Sequence, residues 1–192
     1  MYIKPLKQNA GAVQDKKTGK KTKPFITEKE IINIFANLEY LLHIHKDFLA
    51  ELRQQEQLPI KQQSIGNLIM KYAGFFTCYM QYVSNSDLQR RSIEKLMKDS
   101  PQFVEFIDNR KHNELQLGLE LKSYLIKPLQ RFCKYPLLLK PMCEFIPKIP
   151  HEPWIMMQQA YSKIKEVIDK VESMMNSMES EKIIPSLTEQ GK

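Results

Sequence analysis

From Ile31 to Leu52, side chains suited to a core return at intervals of three and four: Ile31, Ile34, Phe35, Leu38, Leu41, Leu42, His45, Phe48, Leu49 and Leu52. That period sets them along one side of an α-helix and leaves the other side polar, so the chain must bury helix against helix. The start of the helix is specified as well. Thr27 and Glu30 have the spacing of a reciprocal cap, in which each side chain takes a free amide of the first turn. Ile26 and Ile31 flank that cap at the positions of a hydrophobic staple. One helix is therefore expected over 27–54, ending before Pro59.

A second stripe, Ile65, Leu68, Ile69, Tyr72, Phe76, Tyr79 and Tyr82 or Val83, predicts helix over about 62–83. Ser86 with Gln89 has the spacing of a further cap over 87–98. Ser100 before Pro101 places a capping hydroxyl ahead of a proline in the first turn. From 114 to about 146 the prolines Pro128, Pro136 and Pro141 each remove an amide donor, which predicts a long, kinked helix. Pro147, Pro150 and Pro153 mark a loop. Trp154, Met157, Ala160, Ile164, Val167, Val171, Met174 and Met178 then step through a long closing helix, whose methionines are read as core. Only three of six glycines fall between residues 20 and 190, and no Asn-Gly or Asp-Gly pair occurs, which argues against a sheet.

At 192 residues and 42% hydrophobic content the chain is read as one all-α domain. Residues 7–24 are polar, lysine-rich and aperiodic, and are expected to form a loop. Residues 183–192 are expected to be a tail or linker, with the helical bundle between them over 27–182. The net charge of +7 would point to nucleic acid or membrane if it lay on one folded face. It does not, because residues 1–23 hold seven lysines against Asp15, a net +6, which leaves +1 for everything after. Nucleic acid is therefore not expected as a partner, while peripheral association with anionic lipid through the lysine loop is the second role considered. Cys78, Cys133 and Cys143 form no CxxC pair and are read as thiols in a reducing compartment. No apolar run is long enough to span a bilayer and no secretory signal precedes the fold, so a cytoplasmic protein, recruited to membrane, is expected.

His43 and His45, two apart, point in different directions on a helix, so no metal is expected. Phosphate-loop, nucleophile-elbow and HExxH patterns are missing, and neither covalent chemistry nor a cofactor is expected. One segment asks for more than a packing role: Ser123-Tyr124-Leu125-Ile126-Lys127-Pro128-Leu129-Gln130-Arg131-Phe132-Cys133-Lys134-Tyr135-Pro136-Leu137-Leu138-Leu139-Lys140. Leu125, Ile126, Leu129, Phe132, Leu137 and Leu138 can face inward. Lys127, Gln130 and Lys134 then share an outward, donor-rich face suited to docking a protein.

That segment resembles the third conserved region of Dbl homology domains, with its Leu-Ile-Lys-Pro, Gln-Arg and Lys-Tyr-Pro-Leu-Leu-Leu elements. Glu30-Ile31, Ile34-Phe35, Asn37, His45 and Phe48-Leu49 are similar to the first region. Ile65-Gly66, Tyr72, Phe76, Tyr79, Tyr82, Phe103 and Phe106 are similar to the second. The resemblance implies an elongated bundle of about six helices, kinked through the third region, that acts as an exchange factor on a Rho-, Rac- or Cdc42-like GTPase. It implies GTPase contacts at Ser123, Lys127, Gln130, Cys133 and Lys134, and at Glu172 and Asn176 on the last helix. It also implies a lipid-binding neighbour domain in many members. Tyr2, Pro5 and Leu6 resemble the end of the family's first helix, after the position of its usual Glu, and Glu172 stands where Asn or Asp is usual. A GTPase-binding or scaffold domain with impaired exchange is therefore the alternative reading.

Overall fold

The computed structural model describes residues 2–10, 13–14, 21–22, 24–111, 119–145 and 152–189. Lys16, Lys17, Lys20 and Lys23 of the lysine loop, Pro147 and Pro150, and the end of the expected tail lie outside the described residues. The described chain is all-α apart from one antiparallel pair, β1 (Val13–Gln14) and β2 (Lys21–Thr22), with Val13 opposite Thr22. The family's all-α architecture is thus met. Among the described residues, no helix is long and apolar enough to cross a membrane.

The chain divides into two compact units, Met1–Leu38 with Asn85–Lys127, and Glu39–Ser84 with Pro128–Lys192. The first unit holds α1 (Ile3–Ala10), α2 (Glu28–Phe35), α6 (Ser86–Asp99), α7 (Pro101–Lys111) and α8 (Leu121–Leu125). Lys7, expected in a loop, lies in α1. Thr27 caps α2 as its spacing predicts: its hydroxyl accepts from the Glu30 amide at 3.2 Å, and the Glu30 carboxylate accepts from the Thr27 amide at 2.8 Å. Both staple residues, Ile26 and Ile31, are buried in a cluster with Leu6, Ile34, Phe35, Ile93 and Phe103. At α7, Pro101 is the first helical residue and the Ser100 hydroxyl accepts from the Phe103 amide at 3.2 Å. The Ser86 cap does not form. Asn85 already has helical angles, φ −84° and ψ −4°, so Ser86 lies inside the first turn of α6.

The second unit holds α3 (Leu38–Glu56), α4 (Ile65–Ala73), α5 (Cys78–Ser84), α9 (Lys127–Cys133), α10 (Tyr135–Phe145) and α11 (Glu152–Glu189). The first residues of α3 and α9 belong to the first unit. The helix expected over 27–54 is broken at Ala36, where φ 47° and ψ −130° reverse the backbone and the amide closes on Ile32 O at 2.8 Å. The break changes the phase of the stripe: Ile44 is buried, whereas Leu42 is exposed. The second stripe is likewise interrupted by a 3-10 turn over Phe75–Thr77, where the Thr77 amide and hydroxyl both donate to Gly74 O.

α4 packs on α11, and Gly66 is the closest point. A Cβ there would lie 2.8 Å from the backbone of Met156 and Met157. Met157, Ala160, Ile164, Val167 and Val171 are all buried, so the methionine-bearing stripe is core at its first positions. The Glu51 carboxylate ties α3 to α4 by accepting from Lys71 Nζ at 2.7 Å and the Tyr72 hydroxyl at 2.6 Å. The Glu51 bond pushes the Tyr72 phenol up to about 12. α11 runs on to Glu189, past the expected end near 182, without a break.

Candidate functional site

The third-region segment is divided into three helical pieces, α8, α9 and α10, with single-residue breaks at Ile126 and Lys134. Each break falls two residues before a proline, Pro128 and Pro136, which has no amide to give the carbonyl four residues earlier. Pro141, inside α10, leaves that helix continuous. The breaks again shift the phase. Leu125, Leu129 and Phe132 are buried as expected, but Ile126 is 41% exposed, Leu137 70% and Leu138 49%, and Leu139 is buried in their place.

The expected contact residues fall as follows. Ser123 on α8 is half-buried and Lys127, the first residue of α9, is exposed; both belong to the first unit. In the second unit Gln130 is exposed on α9, Cys133 half-buried at its end, Lys134 exposed at the break, and Glu172 and Asn176 exposed on α11. Burial, and then the Glu172 carboxylate, raise the Cys133 thiol, so α9 and α11 bring these two groups within electrostatic reach. Lys163 and Lys170, within one turn of Glu166, hydrogen-bond its exposed carboxylate and hold it at about 2. Among the described residues, no three His, Cys, Asp or Glu side chains gather in a way that would hold a metal.

Within the second unit lies an aromatic layer that helical spacing alone does not reveal. Phe76, Tyr79 and Phe132 are fully buried, and the Tyr79 and Phe132 rings stack at 4.3 Å and 4°. His45 sits over Phe76 at 5.3 Å. Its Nε2 is 2.8 Å from the Tyr79 hydroxyl and its Nδ1 3.0 Å from the Tyr135 hydroxyl. The sequence marks these residues only as core or as family positions. Their pairing across 34 and 90 residues of sequence leaves no local trace. On α3, His43 turns away to Asp47 at 3.4 Å, as the two-residue offset predicts.

Comparison with known proteins agrees with this architecture. Residues 1–172 match the RhoGEF domain family. The mouse phosphatidylinositol 3,4,5-trisphosphate-dependent Rac exchanger 1 protein is 32% identical over 161 residues, which is 80% of this chain and 9% of that protein. Rac guanine nucleotide exchange factor B of Dictyostelium discoideum is 28% identical over 190 residues, 85% of this chain and 16% of that protein. The chain therefore spans only a small part of such relatives. Among solved structures, an activated truncation of Vav1 without ligand superposes with a TM-score of 0.77 at 19% identity, covering 97% of this chain and 43% of that one. The PDZ-RhoGEF DH/PH domains in complex with GTP-gamma-S activated RhoA superpose with a TM-score of 0.73 at 18% identity, covering 93% of this chain and 47% of that one. With the family matched over residues 1–172 and its fold shared along nearly the whole length, the chain belongs to the RhoGEF, or Dbl homology, domain family.

Proposed function

We propose that this domain speeds nucleotide release from a Rho-family GTPase by holding the GTPase switch segments in their nucleotide-free arrangement. The observation that carries this reading is the exposure of Gln130 and Lys134 directly beside the buried Leu129 and Phe132, so that polar groups are presented from a fixed backbone. Lys134 offers an ammonium to switch carboxylates or carbonyls. Gln130, one turn earlier, can pair with backbone of the same segment. Cys133, Glu172 and Asn176 extend the surface, and a Glu172 carboxylate can accept from a GTPase arginine. Ser123 and Lys127, in the first unit, are contact positions by the same family resemblance.

No bond is made or broken in the domain. It acts by differential affinity, and moving a two-state ratio from 1:99 to 99:1 takes about 5.5 kcal/mol of preference for the open GTPase, more than one surface contact supplies. The reading predicts that Lys134→Ala or Gln130→Ala slows release of fluorescent GDP by roughly tenfold or more, if each removes a contact worth about 1.4 kcal/mol in the open state. Circular dichroism and the melting midpoint should stay where they are. Tight GTPase binding with an unchanged release rate from the unmutated domain would favour the scaffold alternative. A second role follows from where the charge lies: the lysines before Ile26 would meet anionic lipid and hold the domain near a membrane-bound GTPase, which deletion of residues 12–23 tests.

A further inference from the structure

α9 is a seven-residue helix with a break on each side, at Ile126 and Lys134, each two residues before a proline that has no amide for the helical ladder. It nevertheless carries Gln130 and leads into Lys134. Among the described residues of the second unit, a chain of hydrogen bonds through His45 links the start of this segment to the residue that follows it. The Tyr79 hydroxyl donates to Pro128 O at 3.2 Å, one residue into α9. A phenol has a single hydrogen, so His45 Nε2, 2.8 Å from the same oxygen, must be the donor to it. In the neutral imidazole Nδ1 then carries the lone pair and accepts from the Tyr135 hydroxyl at 3.0 Å. Tyr135 is the first residue of α10 and directly follows Lys134.

A neutral imidazole on α3 therefore reaches α9 through Tyr79 of α5 and α10 through Tyr135. The ionisable groups that face it are those two phenols and Arg131 of α9, whose guanidinium lies 5.6 Å over the Tyr135 ring. Burial and then Arg131 lower the imidazole's proton affinity, which favours the neutral form that Nδ1 needs in order to accept.

We infer that His45, acting through Tyr79 and Tyr135, is a positioning residue for nucleotide exchange: it locks α9 and the break at Lys134 into the geometry that docks the GTPase. The inference rests on the reading of Gln130 and Lys134 as docking residues. Tyr79→Phe is the sharpest test, because it removes one oxygen while leaving a ring to stack on Phe132. It should speed amide hydrogen exchange over Ile126–Tyr135 in the free domain. It should also lower the maximal rate of GDP release by on the order of tenfold, since small misplacements of a docking surface act on the rate. The GTPase concentration giving half that rate should move far less.

Tyr72→Phe deletes a hydroxyl bonded to Glu51 and should leave release unchanged. His45→Gln, which keeps an N–H toward Tyr79, should retain more activity than His45→Leu. Unchanged amide protection in Tyr79→Phe would overturn the lock and leave the docking reading standing. Faster amide exchange with an unchanged release rate would make the lock a matter of packing alone and overturn its role in exchange. If the unmutated domain releases no nucleotide from Rac-, Rho- or Cdc42-type GTPases, the docking reading falls, and the positioning role falls with it.

Discussion

Ala36 is held at φ 47° and ψ −130°, a conformation that costs an L-residue with a Cβ about 1–3 kcal/mol and costs glycine little. Ala36→Gly should relieve that strain, against the greater freedom glycine gains in the unfolded chain. The expected balance is a gain of about 1 kcal/mol, read as a higher urea midpoint with an unchanged slope. The same residue shows where the sequence is silent. Alanine is the best helix former, so nothing in its chemistry announces a break, and periodicity predicts a single helix over 27–54. Local polar signals fared unevenly. Thr27 with Glu30, and Ser100 before Pro101, formed the caps their spacing specifies, whereas Ser86 did not, because Asn85 was already helical.

Between elements, the closest approach is that of α4 to α11 at Gly66. A methyl group there would stand 2.8 Å from main-chain atoms of Met156 and Met157, which have no rotamer by which to move aside. Gly66→Ala should therefore cost about 1–3 kcal/mol, the usual range for overpacking, by forcing the two helices apart. A lower thermal midpoint with helical content retained below it would record the effect. Helix positions were legible from periodicity, but phase was lost wherever a break of one or two residues intervened. Ile126, Leu137 and Leu138 were expected inside and are exposed, and Leu139 and Ile44 took inward places. The prolines foretold that the third region would bend. They did not say which side chains each bend would carry outward.

At the scale of the molecule, charge is distributed more unevenly than composition shows. Residues 1–23 carry a net +6 of the total +7. Electrostatic attraction to an anionic bilayer adds about 1 kcal/mol for each basic residue near the surface and is screened within a Debye length. The domain should sediment with vesicles containing phosphatidylserine and not with phosphatidylcholine alone. Deletion of residues 12–23 should abolish that association at physiological salt, and binding that survives the deletion would assign it elsewhere. Family membership was legible over most of the chain, because the third-region motif fixes many positions in a row. The bonds joining His45, Tyr79, Tyr135 and Pro128 were not, since they connect residues 34, 49 and 90 apart in sequence.

The two proline breaks have a mechanical consequence. A stiff piece jointed at both ends is a crank: left to itself it swivels, and whatever it carries wanders through an arc. Here the joints are set by Pro128 and Pro136, while what holds the piece in place is the burial of Leu129 and Phe132 together with a handful of ring hydroxyls and one imidazole. On the proposed reading, the rate of exchange can thus be tuned with no change to the docking surface itself.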